Sequence, residues 1–249
     1  MKPALASARV GIFGGTFNPI HVGHLRAAEE VAEALGLERV VFVPSAQPPH
    51  KQPGPGDTIA PPNLRLAWVK AAIADNPRFE VDTLELEREG PSYSVDTLRA
   101  FATRFERARC VFVIGQDAFV ELGTWREPAA LLELAHFAVT SRPPSRKGSL
   151  KSWMPRELAR EIEFAADGLS GRHRRAKTWI RAVEITPLEV SSSDIRARLR
   201  AGRSVRYLLP DGIHDAVVQS RVYGAGPGRA RRPGGPDAPG ASHPHKESR

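Results

Sequence analysis

The densest run of reactive residue types in the chain is GIFGGTFNPIHVGHL, residues 11–25, where two glycines precede two histidines. Gly14 and Gly15 carry no Cβ, so a backbone turn there can come close to an anion. A helix beginning just beyond would add N-terminal amides and a positive dipole end, both suited to phosphate. His21 and His24 are three residues apart, which places both rings on one helix face. Each can donate hydrogen bonds, and such donors stabilise charge developing at a phosphorus centre without a covalent intermediate. The spacing fits neither GxGxxG nor GxxxxGK[ST], which argues against a dinucleotide fingerprint and a Walker-type loop. Taken singly, the features are weak. Paired glycines make ordinary tight turns, two histidines can be a cap and a core residue, and as metal ligands the pair has no third partner nearby. Together they are more specific, and point to a phosphate site.

A second candidate lies far along the chain in VSSSDIR, residues 190–196. Serines and an aspartate ahead of IRARLRAG form a helix-start pattern, so Ser191 and Ser192 stand where amide donors again face outward. Arg196 falls in the first turn, and its forked guanidinium suits phosphate oxygens. A plain N-cap with a solvated arginine is the alternative.

These residues need a scaffold. ARVGIF and RVVFVPS are short apolar runs, the second with the continuous β-branched and aromatic character of a strand inside a parallel sheet. Between them HLRAAEEVAEALG repeats apolar residues at helical spacing and closes on Gly36. The unit reads βαβ. Beyond a Pro/Gly-rich loop at 44–62, the pattern predicts a helix over 64–75, a strand in FEVDTLELE, a helix over 94–105 and a strand in CVFVIG. EPAALLELA reads as helix, HFAVTSR and IRAVEITPL as strands, SSDIRARLRAG as helix, and a last helix follows Pro210. Alternation of this kind predicts a doubly wound α/β fold with a mainly parallel sheet, whose ligands bind beyond the carboxyl ends of the strands. Residues 143–177 are the hardest to read: ELAREIEFAADGL has helical periodicity and GRHRRAK reads as a basic turn, which predicts a small helical insertion or an excursion.

The chain has 249 residues, 41% hydrophobic and 26% charged, enough to bury a core. Its net charge of +8 is unevenly spread. Residues 141–182 hold 11 Lys and Arg against 4 Asp and Glu, and residues 225–249 hold 5 against 2, so the remainder is slightly acidic. The basicity therefore belongs to one segment and one tail, with no aromatic platform to accompany it, which points away from nucleic acid as a partner. The tail is rich in Gly and Pro and apolar only through Ala, a composition that predicts disorder. Residues 1–224 then form the folded domain and 225–249 a flexible extension. His243 and His245 in that tail read as solvated residues. The single cysteine, Cys110, excludes an internal disulfide and suggests a reducing compartment. With no signal-peptide pattern and no apolar run of about 18 residues, a soluble cytoplasmic protein is expected, not a membrane-bound one.

GGTFNPIHVGHL resembles the signature of the HxGH-motif nucleotidyltransferases, and VSSSDIR resembles the ISSTxIR partner motif of the same group. PSAQPPHK (44–51), SYSVDTL (92–98), IGQDAF (114–119) and TWREP (124–128) extend the likeness to the bacterial nicotinate-nucleotide adenylyltransferases, over residues 9–223. The resemblance implies a Rossmann-like nucleotidyltransferase fold. It also implies transfer of the adenylyl group of ATP to nicotinate mononucleotide, giving nicotinate adenine dinucleotide and pyrophosphate by in-line attack on the α-phosphorus, within NAD biosynthesis. By the same resemblance His21 and His24 are catalytic. Gly14, Gly15, Thr16, Phe17, Asp117, Ser191, Ser192 and Arg196 would bind ATP; Lys51, Tyr93, Thr97 and Trp125 would bind the mononucleotide. Thr97 is expected at the nicotinate carboxylate and Trp125 stacked on the pyridine ring. Asn18 stands where the family often has Asp, which weakens any direct metal contact there. Mg2+ is expected on ATP phosphates and water, with no protein ligand. A homo-oligomer is compatible with this reading. The main competing reading is a relative of the same fold acting on phosphopantetheine or glycerol phosphate, against which Trp125 and SYSVDTL count.

Overall fold

The computed structural model describes residues 9–49, 58–106, 109–141 and 148–224. Eight strands form one sheet in the order β3-β2-β1-β4-β5-β8-β7-β6. They are β1 (Arg9–Gly15), β2 (Leu37–Pro44), β3 (Phe79–Val81), β4 (Cys110–Gly115), β5 (His136–Ser141), β6 (Ile162–Phe164), β7 (Ser170–His173) and β8 (Trp179–Glu184). The first six in that order run parallel, while β7 and β6 are antiparallel additions at the edge. Central strand β4 is buried along most of its length, as its unbroken apolar run requires, and β1 is buried through Val10, Gly11 and Ile12.

Helices cover both faces. One core packs α1 (Val22–Leu35), α2 (Pro62–Ala72), α9 (Ser192–Arg200) and α10 (Asp211–Ser220) on the sheet through Val31, Trp68, Ile195 and Ile213. The opposite core is filled by Leu98 and Phe101 of α4 (Ser94–Arg104) and by Leu131 of α6 (Pro128–Leu134). Between β1 and β4 the strand order reverses, since β2 and β3 lie to one side and β5 and β8 to the other. Loops leaving β1 and β4 therefore part company at their carboxyl ends and leave a crevice there.

Two sequence expectations are corrected. FEVDTLELE is strand only over Phe79–Val81, and its second half turns into the one-turn helix α3 (Leu84–Glu87), where the Asp82 carboxylate accepts from the Leu84 amide. The described part of 143–177 is not a helical insertion. After two single turns, α7 (Leu150–Trp153) and α8 (Arg156–Ala159), IEF forms β6 and returns as β7 in a hairpin. Asp167 closes that hairpin by accepting from the amides of Leu169 and Ser170, with Gly168 at φ +68 beside it. Gly171 is needed because a Cβ there would sit 2.7 Å from Ile162 Cγ2. An Asp-Gly pair between apolar runs is a hairpin signal, and here it outweighs the local helical period.

Candidate active site

The first turn is shaped by its own aromatic residue. Phe17 is only 3% exposed, adopts φ +46, and folds its ring back over Gly15, where a Cβ would meet that ring at 2.9 Å. Gly14 is less constrained, since a Cβ there would find its nearest neighbour at 3.7 Å. Asn18 follows, and its side chain is fully engaged. Its Oδ1 accepts from the Ala60 amide at 2.9 Å and the Tyr223 hydroxyl at 2.5 Å, and its Nδ2 donates to the Thr58 carbonyl at 2.9 Å. Asn18 thus fastens the turn to two distant segments.

His21 is the N-cap of α1, buried to 3%, and His24 is half-buried one turn on. Their rings lie 3.7 Å apart, centroid to centroid. The His21 amide donates to His24 Nδ1 at 3.2 Å, so in the neutral ring the proton resides on Nε2 and that nitrogen is a donor. Gly23 between them has a steric reason: a Cβ would press on the His21 ring at 3.1 Å. The expectation of outward-facing amides at this helix start is partly corrected, because the Val22 amide donates to the Leu208 carbonyl at 3.2 Å.

The two remote motifs meet. Arg196 on α9 is 7% exposed and donates through Nη1 to the Asn18 carbonyl at 2.8 Å, three residues beyond Gly15. Ser192 Oγ donates to the Pro19 carbonyl at 2.9 Å, and Ser191 caps α9 by accepting from the Asp194 amide at 3.0 Å. Charged and hydroxyl groups of the second motif therefore brace the first at its backbone.

Beside the glycine turn opens a pocket. Gly14, Gly15 and Thr16 form one wall; Tyr93 and Trp125 form another, with Phe112 edge-on to Trp125 at 6.4 Å. Thr97 is not on this surface. It is 1% exposed and donates to Glu85 Oε1 at 2.5 Å, so it acts on the pocket through a carboxyl group that does line it. Asp117 is exposed in the first turn of the short α5 (Gln116–Val120) and is not among the lining residues. Lys51 and its neighbour His50 lie outside the described residues. Among the described residues no cluster of three His, Cys, Asp or Glu side chains could hold a metal ion.

A cytidylyltransferase-like family model matches residues 12–198. A probable nicotinate-nucleotide adenylyltransferase of Geotalea uraniireducens is 40% identical over 215 residues, covering 86% of this chain and 98% of that protein. The corresponding protein of Trichlorobacter lovleyi is 43% identical over 86% of this chain and 99% of its own length. The chain belongs to the cytidylyltransferase-like family, in its nicotinate-nucleotide adenylyltransferase branch. In fold, it is similar to the Plasmodium falciparum nicotinic acid mononucleotide adenylyltransferase solved with NaAD, at a TM-score of 0.64 and 15% identity over 87% of this chain and 98% of that one.

Sequence reading overlooked several residues of this adenylyltransferase site. Ser94 and Arg126 line the pocket, the guanidinium of Arg126 lying 4.7 Å over the Tyr93 ring. Glu85 lines it too; burial raises its carboxyl above the ordinary range, and hydrogen bonds from Thr97 and Ser92 offset part of that rise. Arg65, fully buried, donates to the Thr16 carbonyl. Its signal was present but inverted. On α2 the buried positions are 65, 68, 69 and 72, an apolar stripe whose first member is a charged residue.

Proposed function

We infer that this protein transfers the adenylyl group of ATP to nicotinate mononucleotide, forming nicotinate adenine dinucleotide and releasing pyrophosphate, a step of NAD biosynthesis. The observation that carries the reading is the contact of Arg196 Nη1 with the Asn18 carbonyl at 2.8 Å, which joins the glycine turn and the serine-marked helix into one cradle beside an aromatic pocket. In the proposed reaction an oxygen of the mononucleotide phosphate bonds to the α-phosphorus of ATP as the bond to the bridging oxygen of pyrophosphate breaks. The attacking phosphate is already anionic, so no side chain has to remove a proton. His24 Nε2–H donates to the phosphate oxygens as charge moves toward the leaving group, and His21, its ring packed against that of His24 at a tilt of 31°, holds that ring in place and adds its own polarity. The turn over Gly14, Gly15, Thr16 and Phe17 receives the triphosphate from one side. Ser191, Ser192 and Arg196 support it from the other, while Trp125 and Tyr93 take the pyridine ring.

The donor set suits Mg2+ held by phosphates and water, since the groups of the glycine turn and the α9 start are amides, hydroxyls, imidazoles and a guanidinium, which would bind the phosphates and leave the ion its water. Bound there, the ion would neutralise phosphate charge. No described helix is long and apolar enough to cross a membrane. Cys110 is buried, and burial pushes its thiol pKa up to about 11.

The test is to incubate the purified protein with ATP, Mg2+ and a panel of phosphorylated acceptors, including the acid and amide mononucleotides, and identify products by mass. Nicotinate adenine dinucleotide as the principal product supports the reading. A product from phosphopantetheine or glycerol phosphate alone rejects it.

A further inference from the structure

Arg65 has 0% exposure, and every hydrogen bond it makes among the described residues goes to a carbonyl. Nη1 donates to Thr16 at 2.7 Å, Nε to Ala60 at 2.9 Å and Nη2 to Ala46 at 3.2 Å. These carbonyls belong to three separate segments: the loop after β1, the approach to α2 and the loop after β2. No carboxylate among the described residues pairs with the guanidinium, and burial draws its pKa below the usual arginine value. Burying a charge without a counter-ion is unfavourable even when its hydrogen bonds are met, and an apolar side chain of similar length would fill the stripe of α2 more cheaply if packing were the only requirement. The charge and the fork geometry therefore need a reason of their own.

The three carbonyls supply one. Thr16 belongs to the wall that faces the triphosphate. Ala46 belongs to a loop that is tied in turn to the acceptor side: the amides of Ala46 and Gln47 donate to Ser92 Oγ at 3.0 and 3.3 Å, and the Ser92 amide returns a bond to the Gln47 carbonyl at 2.9 Å. Ser92 precedes Tyr93, which lines the pocket. One side chain thus spans the phosphate wall and, through two further links, the aromatic wall. We propose that Arg65 is a positioning residue for adenylyl transfer, holding the ATP-facing and acceptor-facing loops at the separation that in-line attack requires. The inference rests on the adenylyltransferase reading and adds a determinant that touches neither substrate.

The experiment compares Arg65→Lys and Arg65→Ala with wild type, each confirmed folded by circular dichroism and assayed well below its melting temperature. Both variants are expected to lose roughly 10- to 100-fold in kcat, because a small misalignment of reacting groups has that effect. KM for ATP and for the acceptor should stay near the wild-type values, since each wall keeps its own contacts. Millimolar guanidinium should restore part of the kcat of Arg65→Ala, and ammonium at equal ionic strength should not. Wild-type kcat per folded molecule in Arg65→Lys overturns the proposal even if Arg65→Ala fails to fold. So does a loss that follows only the unfolded fraction. A wild type that makes no dinucleotide sinks the functional reading along with this one, whereas an active wild type with unimpaired variants sinks this inference alone.

Discussion

In the proposed reaction His24 acts through one nitrogen. With Nδ1 accepting from the His21 amide at 3.2 Å, Nε2 carries the proton and can meet a phosphate oxygen without a change of tautomer. His24→Ala removes that donor and, of the packing, only the ring's edge contacts with Phe13 and Phe17. We predict a fall in kcat of about 100-fold or more at nearly unchanged melting temperature, as for loss of a single transition-state donor. Steady-state kinetics on a folded variant checks this, and an unaltered kcat would remove the residue from the proposed role. In the proposed reaction Trp125, which lines the pocket, contributes differently, by offering its face to the pyridine ring. Trp125→Ala should raise the acceptor KM by the equivalent of roughly 1–3 kcal/mol, by analogy with bases stacked on aromatics, with a smaller effect on kcat. A KM that does not move would contradict the stacking assignment.

Among the elements, the turn after β1 is held from outside itself. Asn18 bonds Thr58 and Ala60 on one segment and Tyr223 on another, and Arg196 reaches the Asn18 carbonyl from α9, so three segments far apart in sequence fix one loop. Asn18→Ala leaves buried partners unsatisfied and should cost about 2–3 kcal/mol of stability. Chemical denaturation measures it, and a change below the error of the fit would show the fastening to be incidental. The alternation of strands and helices was legible because buried parallel strands are unbroken apolar runs: CVFVIG coincides with β4, and Gly36 at φ +60 ends α1 as its position suggests. The glycine, histidine and serine motifs were legible for a similar reason, since their chemistry is local. Thr97 was not. It reads as a pocket residue in the sequence, yet α4 turns its hydroxyl inward to Glu85, a contact twelve residues back that no spacing rule reveals. Arg65 was hidden because periodicity treats a charged residue as an outward-facing one. The β6–β7 hairpin was missed because the helical period of ELAREIEF masks an Asp-Gly turn just beyond it.

Across the whole molecule, a parallel sheet that reverses its strand order between β1 and β4 opens a crevice at the carboxyl ends, and the chain lines the pocket there with glycine backbone, hydroxyls, aromatic rings and the Arg126 guanidinium. Glu85 is the exception, a carboxyl buried beside the pocket. Its folded pKa is raised by burial, so the folded state binds the proton more tightly than the unfolded chain. Stability is then lost as pH rises from the unfolded carboxyl value through the folded one. Glu85→Gln keeps an acceptor for Thr97 and removes the titration. The variant should gain stability over wild type as pH rises through that window and show little advantage below it, which melting curves across pH will reveal. An advantage that instead grew toward acid pH would reverse the assigned sign.

The central claim is that the Gly15 turn and the α9 start grip one triphosphate. A crystal structure of the protein with a non-hydrolysable ATP analogue tests it most directly. The account predicts a triphosphate chain lying between the Gly15–Thr16 backbone and the Ser192–Arg196 turn, with His24 Nε2 in hydrogen-bond range of a phosphate oxygen. A nucleotide bound elsewhere, or one whose phosphates touch only one of the two motifs, would contradict it.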